Sequence, residues 1–141
     1  MLYEFSHKIY SDVVLFQDHA RTDLPNLNVS FRIRKVTDAI FMHELEPVGD
    51  FVLELKDNVI ATGGFMLHYN KPFADLYMEV NKEFRRNGFG SFLIQELKEE
   101  CYLHHRVPAA RCNIENLATR FALMKAGLSV SGFMLTGEVK R

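Results

Sequence analysis

The hydrophobic period of the sequence changes at a short glycine-containing segment, and this change limits the fold more than any other feature. Before Val80, apolar residues largely alternate with polar ones, which is typical of strands. After Gly88, apolar residues recur at every fourth position as far as about His104, which predicts an amphipathic helix. The repeating residues are Phe89, Leu93, Leu97 and Cys101. A strand, a loop with two glycines and a long helix therefore follow one another directly.

The segment before this junction contains further strands separated by turn signals. Residues 29–36 alternate as a strand, and Thr37 or Asp38 is placed to cap a short helix that ends near Pro47. Three later strands are predicted to form an antiparallel meander, with a tight turn at Asp57-Asn58 and a break at residues 70–72. These three strands are residues 51–56, 59–69 and 74–80.

The segment after the long helix predicts a strand, a second helix and a last strand. The strand covers residues 108–114, the helix residues 116–126 and the last strand residues 128–139. Asn116 is a candidate N-cap of the second helix and Gly127 its stop, and Leu117, Phe121 and Met124 share one face. Phenylalanines 89, 92 and 121 are expected in the core. Antiparallel strands followed by strand, helix, strand, helix and strand indicate a mixed-sheet α/β domain.

Composition narrows the classes of protein that this chain can represent. A length of 141 residues supports one compact domain, and 48% apolar with 25% charged residues is typical of a folded one. A net charge of −1 argues against nucleic acid as a partner. No run approaches the roughly 20 apolar residues of a membrane span, and residues 1–10 lack the apolar block of a signal peptide, so we expect no membrane contact and a cytoplasmic location. Cys101 and Cys112 lie in apolar patterns, so core thiols and no metal site are expected.

The loop between strand and helix is the densest chemical signal. Gly88 and Gly90 let the backbone approach a ligand closely, and the first N–H groups of the helix favour an anion, of which phosphate is the natural choice. A glycine turn that only starts a helix is the alternative, and Arg85 with Arg86 weighs against it. A dinucleotide fingerprint needs a third glycine where this chain has Leu93, and a P-loop needs an absent Gly-Lys-Ser/Thr ending.

Two motifs resemble the GNAT N-acetyltransferase superfamily. Arg85-x-x-Gly88-x-Gly90, with Val80 five residues earlier, resembles the acyl-CoA pyrophosphate loop of that superfamily. Asn116, the small residues Ala118 and Thr119, and then Lys125-Ala126-Gly127 resemble its second motif, in the correct order after a helix and a strand. The resemblance covers roughly residues 29–133. It implies a mostly antiparallel central sheet with two splayed strands and flanking helices.

The resemblance also implies where acetyl-CoA binds. The pyrophosphate is expected on the loop N–H groups of Arg86, Asn87, Gly88, Phe89, Gly90 and Ser91, with the Arg85 side chain nearby. Residues 77–80 are expected to splay from residues 110–113, so that Met78 and Val80 pair with the pantetheine arm as an added strand would. Asn116 is expected to contact the same arm, and its alternative role is that of a helix cap.

Acetyl transfer needs a neutral amine, a proton acceptor and a polarised thioester carbonyl. Glu79 and Asp75 stand four residues apart on one strand face, which Tyr77 shares, so either carboxylate is a candidate proton acceptor and a solvated surface residue is the alternative. By resemblance, the Met78 N–H polarises the carbonyl. The family often has a tyrosine as general acid where this chain has Leu123, so that acid stays unassigned.

Two functions follow from the resemblance. The first is N-acetyltransfer from acetyl-CoA to a primary amine by direct attack in a ternary complex. The second is a non-catalytic acyl-CoA-binding sensor or interaction module, which the leucine at position 123 favours. The sequence does not identify the acceptor. Because residues 36–50 leave room for only one short helix, we expect an open acceptor groove.

Residues 1–28 precede the resemblance, which places an acetyltransferase-like domain at residues 29–141. Such domains usually finish with two strands, whereas residues 128–141 suffice for one, so a slot beside residues 110–113 is left empty. An unpaired slot exposes backbone donors and acceptors. The β-prone residues 9–16 are predicted to fill it, from the same chain or from a partner subunit, which leaves a homodimer open. A helical or disordered leader is the alternative.

Overall fold

A computed structural model describes residues 6–68 and 71–139, with side chains for residues 12–68 and 71–134. Within these residues, seven strands form one sheet that carries two helices, which confirms the predicted fold class. The strands are β1 (Ser6–Asp18), β2 (Ser30–Ile33), β3 (Phe51–Leu55), β4 (Asn58–Met66), β5 (Phe73–Val80), β6 (Val107–Asn113) and β7 (Leu128–Val139). The helices are α1 (Phe89–Leu103) and α2 (Leu117–Lys125), and a 3₁₀ turn, Lys82–Phe84, precedes α1.

The sheet is mostly antiparallel, with the order β2-β3-β4-β5-β6-β1-β7. Only the β5–β6 pair is parallel among the described strands. The meander β3-β4-β5 forms as predicted, although its tight turn lies at Lys56-Asp57, one residue earlier than expected. Both turn residues have positive φ angles, of 48° and 67°, which matches the twist that a two-residue hairpin needs. Tyr69 and Asn70, the predicted end of β4 and start of the break, lie outside the described residues.

The segment between β2 and β3 contains no helix, so the predicted short helix is wrong. The Asp38 carboxylate accepts from the Lys35 N–H at 2.7 Å and pairs with Arg32, which closes a turn before Asp38 instead of capping a helix after it. Further on, the backbone N–H groups of residues 44–46 donate to a side chain of β5 and are unavailable for helical bonds. Strand β2 is also shorter than predicted and ends at Ile33.

Strand β1 occupies the slot beside β6. Val13 to Gln17 pair with Asn113 to Ala109, and the opposite edge of β1 pairs with β7 along its length. Val14 and Phe16 are fully buried. The strand predicted at residues 9–16 therefore lies within β1 of the same chain, and residues 19–28 lead back across α1, where Thr22 and the Leu24 N–H donate to Gln95.

The core lies between the sheet and α1. Leu93, Leu97 and Cys101 of α1 are fully buried against the sheet, and Phe89 and Phe92 are buried beside them, as predicted. Both cysteines are free buried thiols, which confirms their core role, and burial raises the pKa of Cys101 to about 12. No helix in the described part of the chain is long and apolar enough to cross a membrane.

Helix α2 buries a different side from the one that its sequence predicts. The face formed by Leu117, Phe121 and Met124 is exposed, so the prediction that Phe121 belongs to the core is wrong. Leu123 and the following Ala126 are buried instead. The apolar spacing forms a helix as predicted, but the side that packs against the rest of the domain is the one that carries Leu123. The exposed face becomes relevant below, because part of it borders a cleft.

Candidate active site

Strands β5 and β6 separate after a short parallel stretch. They pair from Phe73 with Val107 to Leu76 with Ala110, and no pair follows. Beyond that point β6 continues against β1, while β5 continues against β4 alone. The last four residues of β5, Tyr77 to Val80, therefore border a gap in the sheet, and the predicted splay is confirmed.

The backbone groups of Met78 and Val80 face this gap. The Val107 N–H of β6 donates to the Pro72 carbonyl at 2.9 Å, and the Asn81 N–H donates to Ile60 of β4 at 2.8 Å. Because successive residues of a strand direct their backbone groups to opposite edges, even-numbered residues of β5 face β6 and odd-numbered ones face β4. The Met78 backbone can therefore pair with an extended ligand in the gap. The Val80 carbonyl already accepts from Arg85 Nε at 3.1 Å.

The glycine loop turns sharply into α1. Arg86 and Gly88 have φ angles of 67° and 83°, and the left-handed conformation at Gly88 favours glycine. The Asn87 amide donates to the carbonyls of Phe84 and Arg85 at 3.2 Å each and so fixes the turn. The first N–H groups of α1 lack helical partners, and together with the turn they form a concave group of donors suited to an anion.

A cleft of about 540 Å³ opens in front of this loop. It is bounded by the end of β5, the loop, the start of α1 and one side of α2. Of the ten residues predicted to bind the cofactor, Asn87 alone does not line it. The nine that do are Met78, Val80, Arg85, Arg86, Gly88, Phe89, Gly90, Ser91 and Asn116.

Six further lining residues were not predicted as site residues, and the three largest of them are Phe84, Phe121 and Lys125. Phe84 lies on the 3₁₀ turn, and Phe121 lies on the exposed face of α2. Lys125 ends α2 and reaches toward the loop, since its Nζ lies 3.6 Å from the position that a Cβ on Gly88 would take. Lys125 belongs to the second motif, so the sequence contained a signal for it, but the motif does not show that its ammonium meets the loop.

A second cavity of about 210 Å³ adjoins the first where β5 and β6 separate. The two cavities share Met78, Asn116 and Thr119. On one side the second cavity reaches Ile94 of α1 and the buried Leu123 of α2, and on the other it reaches residues 45 and 46 of the segment between β2 and β3. The Asn116 Oδ1 accepts from the Thr119 N–H at 3.2 Å, so Asn116 caps α2 and borders both cavities at once.

The two faces of β5 are chemically different. A Cβ on Gly90 would lie 3.2 Å from Met78 Cε and 3.6 Å from Val80 Cγ2, so the even-numbered side chains face α1. The side chains of Asp75, Tyr77 and Glu79 lie on the opposite face, as expected from their spacing. Residues 45 and 46 cover this face, and they belong to the segment that is expected to border the acceptor groove. We therefore call it the acceptor face.

The Glu79 carboxylate is enclosed by backbone donors. Oε2 accepts from the Glu44 N–H at 2.7 Å, and Oε1 accepts from the N–H groups of Leu45 and Glu46 at 2.7 and 2.8 Å. Only 4% of the residue is exposed. Burial raises the pKa of Glu79, but the three backbone donors outweigh burial, so the pKa lies below its ordinary value. Sequence spacing could not foresee this contact, because it joins residues 33 to 35 positions apart.

Asp75 also has a partner on the acceptor face. Its Oδ2 lies 3.3 Å from Arg111 Nη2 of β6. Tyr77 packs its phenol over Gly64 of β4, where a Cβ would lie 2.8 Å from the hydroxyl oxygen, and burial raises its pKa. In the described residues, no group of three or more His, Cys, Asp or Glu side chains is arranged to hold a metal ion.

Comparison with known proteins agrees with this geometry. Residues 14–127 match the Acetyltransferase (GNAT) family. An acetyltransferase of the GNAT family from Colwellia psychrerythraea has a similar structure, with a TM-score of 0.77 at 15% identity over 98% of this chain and 59% of that one. A GCN5-related N-acetyltransferase-like protein from Streptococcus suis gives 0.65 at 12% identity over 94% of this chain and 62% of that one. Among curated proteins, no sequence match is found.

The fold, the splayed strands and the family match define an acetyltransferase domain. The chain belongs to the GNAT acetyltransferase family, whose match covers β1 at Val14 through the end of α2. It spans about three fifths of the length of the two solved structures above.

Proposed function

We propose that the chain transfers an acetyl group from acetyl-CoA to a primary amine by direct attack in a ternary complex. The observation that carries this proposal is the pair of adjoining cavities, which share Met78 at the gap between β5 and β6 and extend from the glycine loop to the acceptor face. This arrangement lets one substrate bind from the helix side and the other from the opposite side.

The cleft suits an extended ligand with phosphates at one end. The donors at the start of α1 and the cations of Arg86 and Lys125 favour the pyrophosphate. The exposed ring of Phe121 offers an apolar wall. The Met78 backbone suits the pantetheine arm, and its N–H is the proposed donor to the thioester carbonyl. Since the Val80 carbonyl is occupied by Arg85, Met78 carries more of this pairing than the sequence predicted.

The leaving thiolate needs no tyrosine at position 123. A thiol pKa near 8.5 makes a thiolate a tolerable leaving group, so a missing general acid costs about 10²- to 10⁴-fold in rate without abolishing the reaction. The proton acceptor is a separate question, because the two predicted carboxylates, Glu79 and Asp75, already have partners. A homodimer and a cytoplasmic location remain predictions from the sequence.

One observation favours the alternative of a non-catalytic acyl-CoA-binding module. Leu123 is 3% exposed and lines the second cavity, where a catalytic tyrosine would stand. The two functions differ in turnover. Titration calorimetry measures acetyl-CoA binding, and a thiol-release assay over tyramine, spermidine and a lysine-containing peptide measures transfer. Amine-dependent release supports the enzyme, whereas binding with no release from any amine supports the module.

A further inference from the structure

Glu79 is poorly suited to accept a proton from the substrate. Its two oxygens hold three backbone N–H groups, and protonation would break at least one of those bonds. Its pKa is also lowered, which makes it a weaker base. The same contacts give it another role. Glu79 holds the backbone of residues 44–46 on the acceptor face of β5, beside the gap.

Asp75 lies too far back along the strand. It is opposite Ala109 in the part of β5 that is still paired with β6, whereas the gap opens beyond Leu76. Asp75 stands three positions before Met78, which corresponds to about 10 Å along a strand. Its ion pair with Arg111 further holds it at this position. Neither predicted carboxylate is therefore both free and close to the Met78 N–H.

Glu46 meets both conditions. It lines the second cavity together with Tyr77 and Met78, and its backbone N–H is one of the three bound by Glu79. Within the part of the chain that the structure describes, no hydrogen bond or ion pair occupies the Glu46 carboxylate. Glu46 is exposed, so it can return a proton to solvent. Loss of hydration, followed by the nearby charge of Glu79, raises the pKa of Glu46, which makes it the stronger base of the two.

The segment that carries Glu46 is hydrogen-bonded within itself and to β4. The His43 Nδ1–H donates to the Glu46 carbonyl at 2.9 Å, because a carbonyl can only accept, and the Thr62 hydroxyl then donates to Nε2 at 3.0 Å. The Gly49 N–H donates to the same hydroxyl at 3.3 Å. A Cβ at Gly49 would lie 2.0 Å from the Gly63 carbonyl oxygen, so the segment lies directly on β4.

We infer that Glu46 accepts the proton of the acceptor amine and that Glu79 is a positioning residue that places Glu46 beside the gap. This inference rests on the proposed function. The Glu46 carboxylate takes one proton from the ammonium form, and the neutral nitrogen attacks the thioester carbonyl carbon. The C–S bond then breaks and its electron pair leaves with sulfur. The proton lost by the new amide nitrogen reaches the thiolate through solvent, and protonated Glu46 releases its own proton to solvent.

The variants Glu46→Gln, Glu79→Gln and Asp50→Asn separate these roles. Asp50 is the matched control, an exposed carboxylate four residues further along the same segment. The charge of Glu79 acts on Glu46, His43 donates to the Glu46 carbonyl, and Tyr77 and Arg111 line the same cavity. The charges of Asp50 and Arg34 act on Tyr77. Each variant is assayed for thiol release from acetyl-CoA with the best amine of the panel, across the pH range, and for acetyl-CoA binding.

Glu46→Gln should lower kcat/KM for the amine about 10²-fold near neutral pH, with the deficit shrinking as the pH approaches the amine pKa and neutral amine becomes abundant. Glu79→Gln should lower kcat and raise the amine KM while keeping the acid limb of the pH profile. Asp50→Asn should stay within about twofold of the wild type, and acetyl-CoA affinity should not change. The inference is overturned if Glu46→Gln stays within threefold at every pH, or if Glu79→Gln alone removes the acid limb.

A wild-type protein that releases no thiol with any amine contradicts the proposed function instead. The relative base strength of Glu46 and Glu79, on which the inference depends, is then measured without turnover. The carboxyl carbons of ¹³C-labelled glutamate are followed through a pH titration. Glu46 should titrate at a higher pH than Glu79. The reverse order would overturn the inference.

Discussion

Replacing Lys98 with methionine tests the contact that ties β1, α1 and α2 together. The Lys98 ammonium is 2.7 Å from Asp18 Oδ1 and donates to the carbonyls of Ala20 and Ala126 at 2.6 and 2.8 Å. Its side chain is 2% exposed and that of Asp18 is 15% exposed. Asp18 also accepts from the Tyr102 hydroxyl at 2.5 Å. Methionine keeps the aliphatic contacts and removes the charge with all three of its partners.

The expected loss is large because the carboxylate and both carbonyls remain. Removing one partner of a buried ion pair lowers the free energy of unfolding by roughly 3–5 kcal/mol. With a urea m-value of about 2 kcal/mol/M, the midpoint should fall by about 2 M. A domain of this size has about 5–15 kcal/mol in total, so the variant should still fold at low urea.

Urea unfolding followed by circular dichroism measures this loss. Lys56→Met, on an exposed turn, is the matched control and should stay within about 0.5 kcal/mol. The double variant Asp18→Asn with Lys98→Met should recover part of the loss, since no unpaired charge is left. A decrease below 1 kcal/mol for Lys98→Met would refute the reasoning, because it would mean that the three contacts contribute little.

Three further predictions concern β1, Glu79 and Lys125. Removal of residues 1–19 withdraws β1 from between β6 and β7, so cooperative melting should be lost; a truncated protein that melts like the full chain would contradict this. The lowered pKa of Glu79 means that its stabilising effect is complete above its unfolded pKa and is lost as the pH falls through its folded pKa. The urea midpoint of Glu79→Gln should therefore differ from the wild type at pH 6 and approach it near pH 3, and an equal difference at both pH values would refute it. Lys125→Ala should weaken acetyl-CoA binding several-fold at low salt and less at high salt, as calorimetry at two ionic strengths will show; no change at low salt would exclude the contact.

The local pattern predicted the elements that bury one regular face. Helix α1 and strand β7 have nearly the expected bounds, and the apolar pattern of the meander was sufficient to predict β3, β4 and β5. The strand that fills the slot beside β6 was also predicted from the sequence. The strand count left that slot unpaired, and residues 9–16 are apolar and β-prone. These inferences rest on short-range periodicity and on the count of strands.

The sequence failed where distant residues decide the structure. The segment before β3 has a capping residue, but its N–H groups bind Glu79 on β5, and this contact also explains why Glu79 is not a free base. The exposed side of α2 could not be predicted, since both sides of the helix carry apolar residues and only the packing of the whole domain selects Leu123 for burial. Lys125 was visible in its motif, but its place opposite Gly88 depends on how α2 packs beside α1.

The central claim is that the cleft at the start of α1 binds acetyl-CoA, and titration of the wild type and Gly90→Glu with acetyl-CoA tests it most directly. The new side chain would start 3.2 Å from Met78 Cε and extend into the cleft, with a carboxylate where the pyrophosphate is expected. The fold should persist, because a negative charge near a helix start is favourable and Met78 is flexible. We expect saturable binding by the wild type and at least about a 100-fold weaker affinity for Gly90→Glu with an unchanged melting curve, as expected for like charges forced together. The control Gly90→Ala adds bulk without charge and should weaken binding far less than Gly90→Glu. Equal affinity of Gly90→Glu and wild type, or no binding by the wild type, would contradict the account.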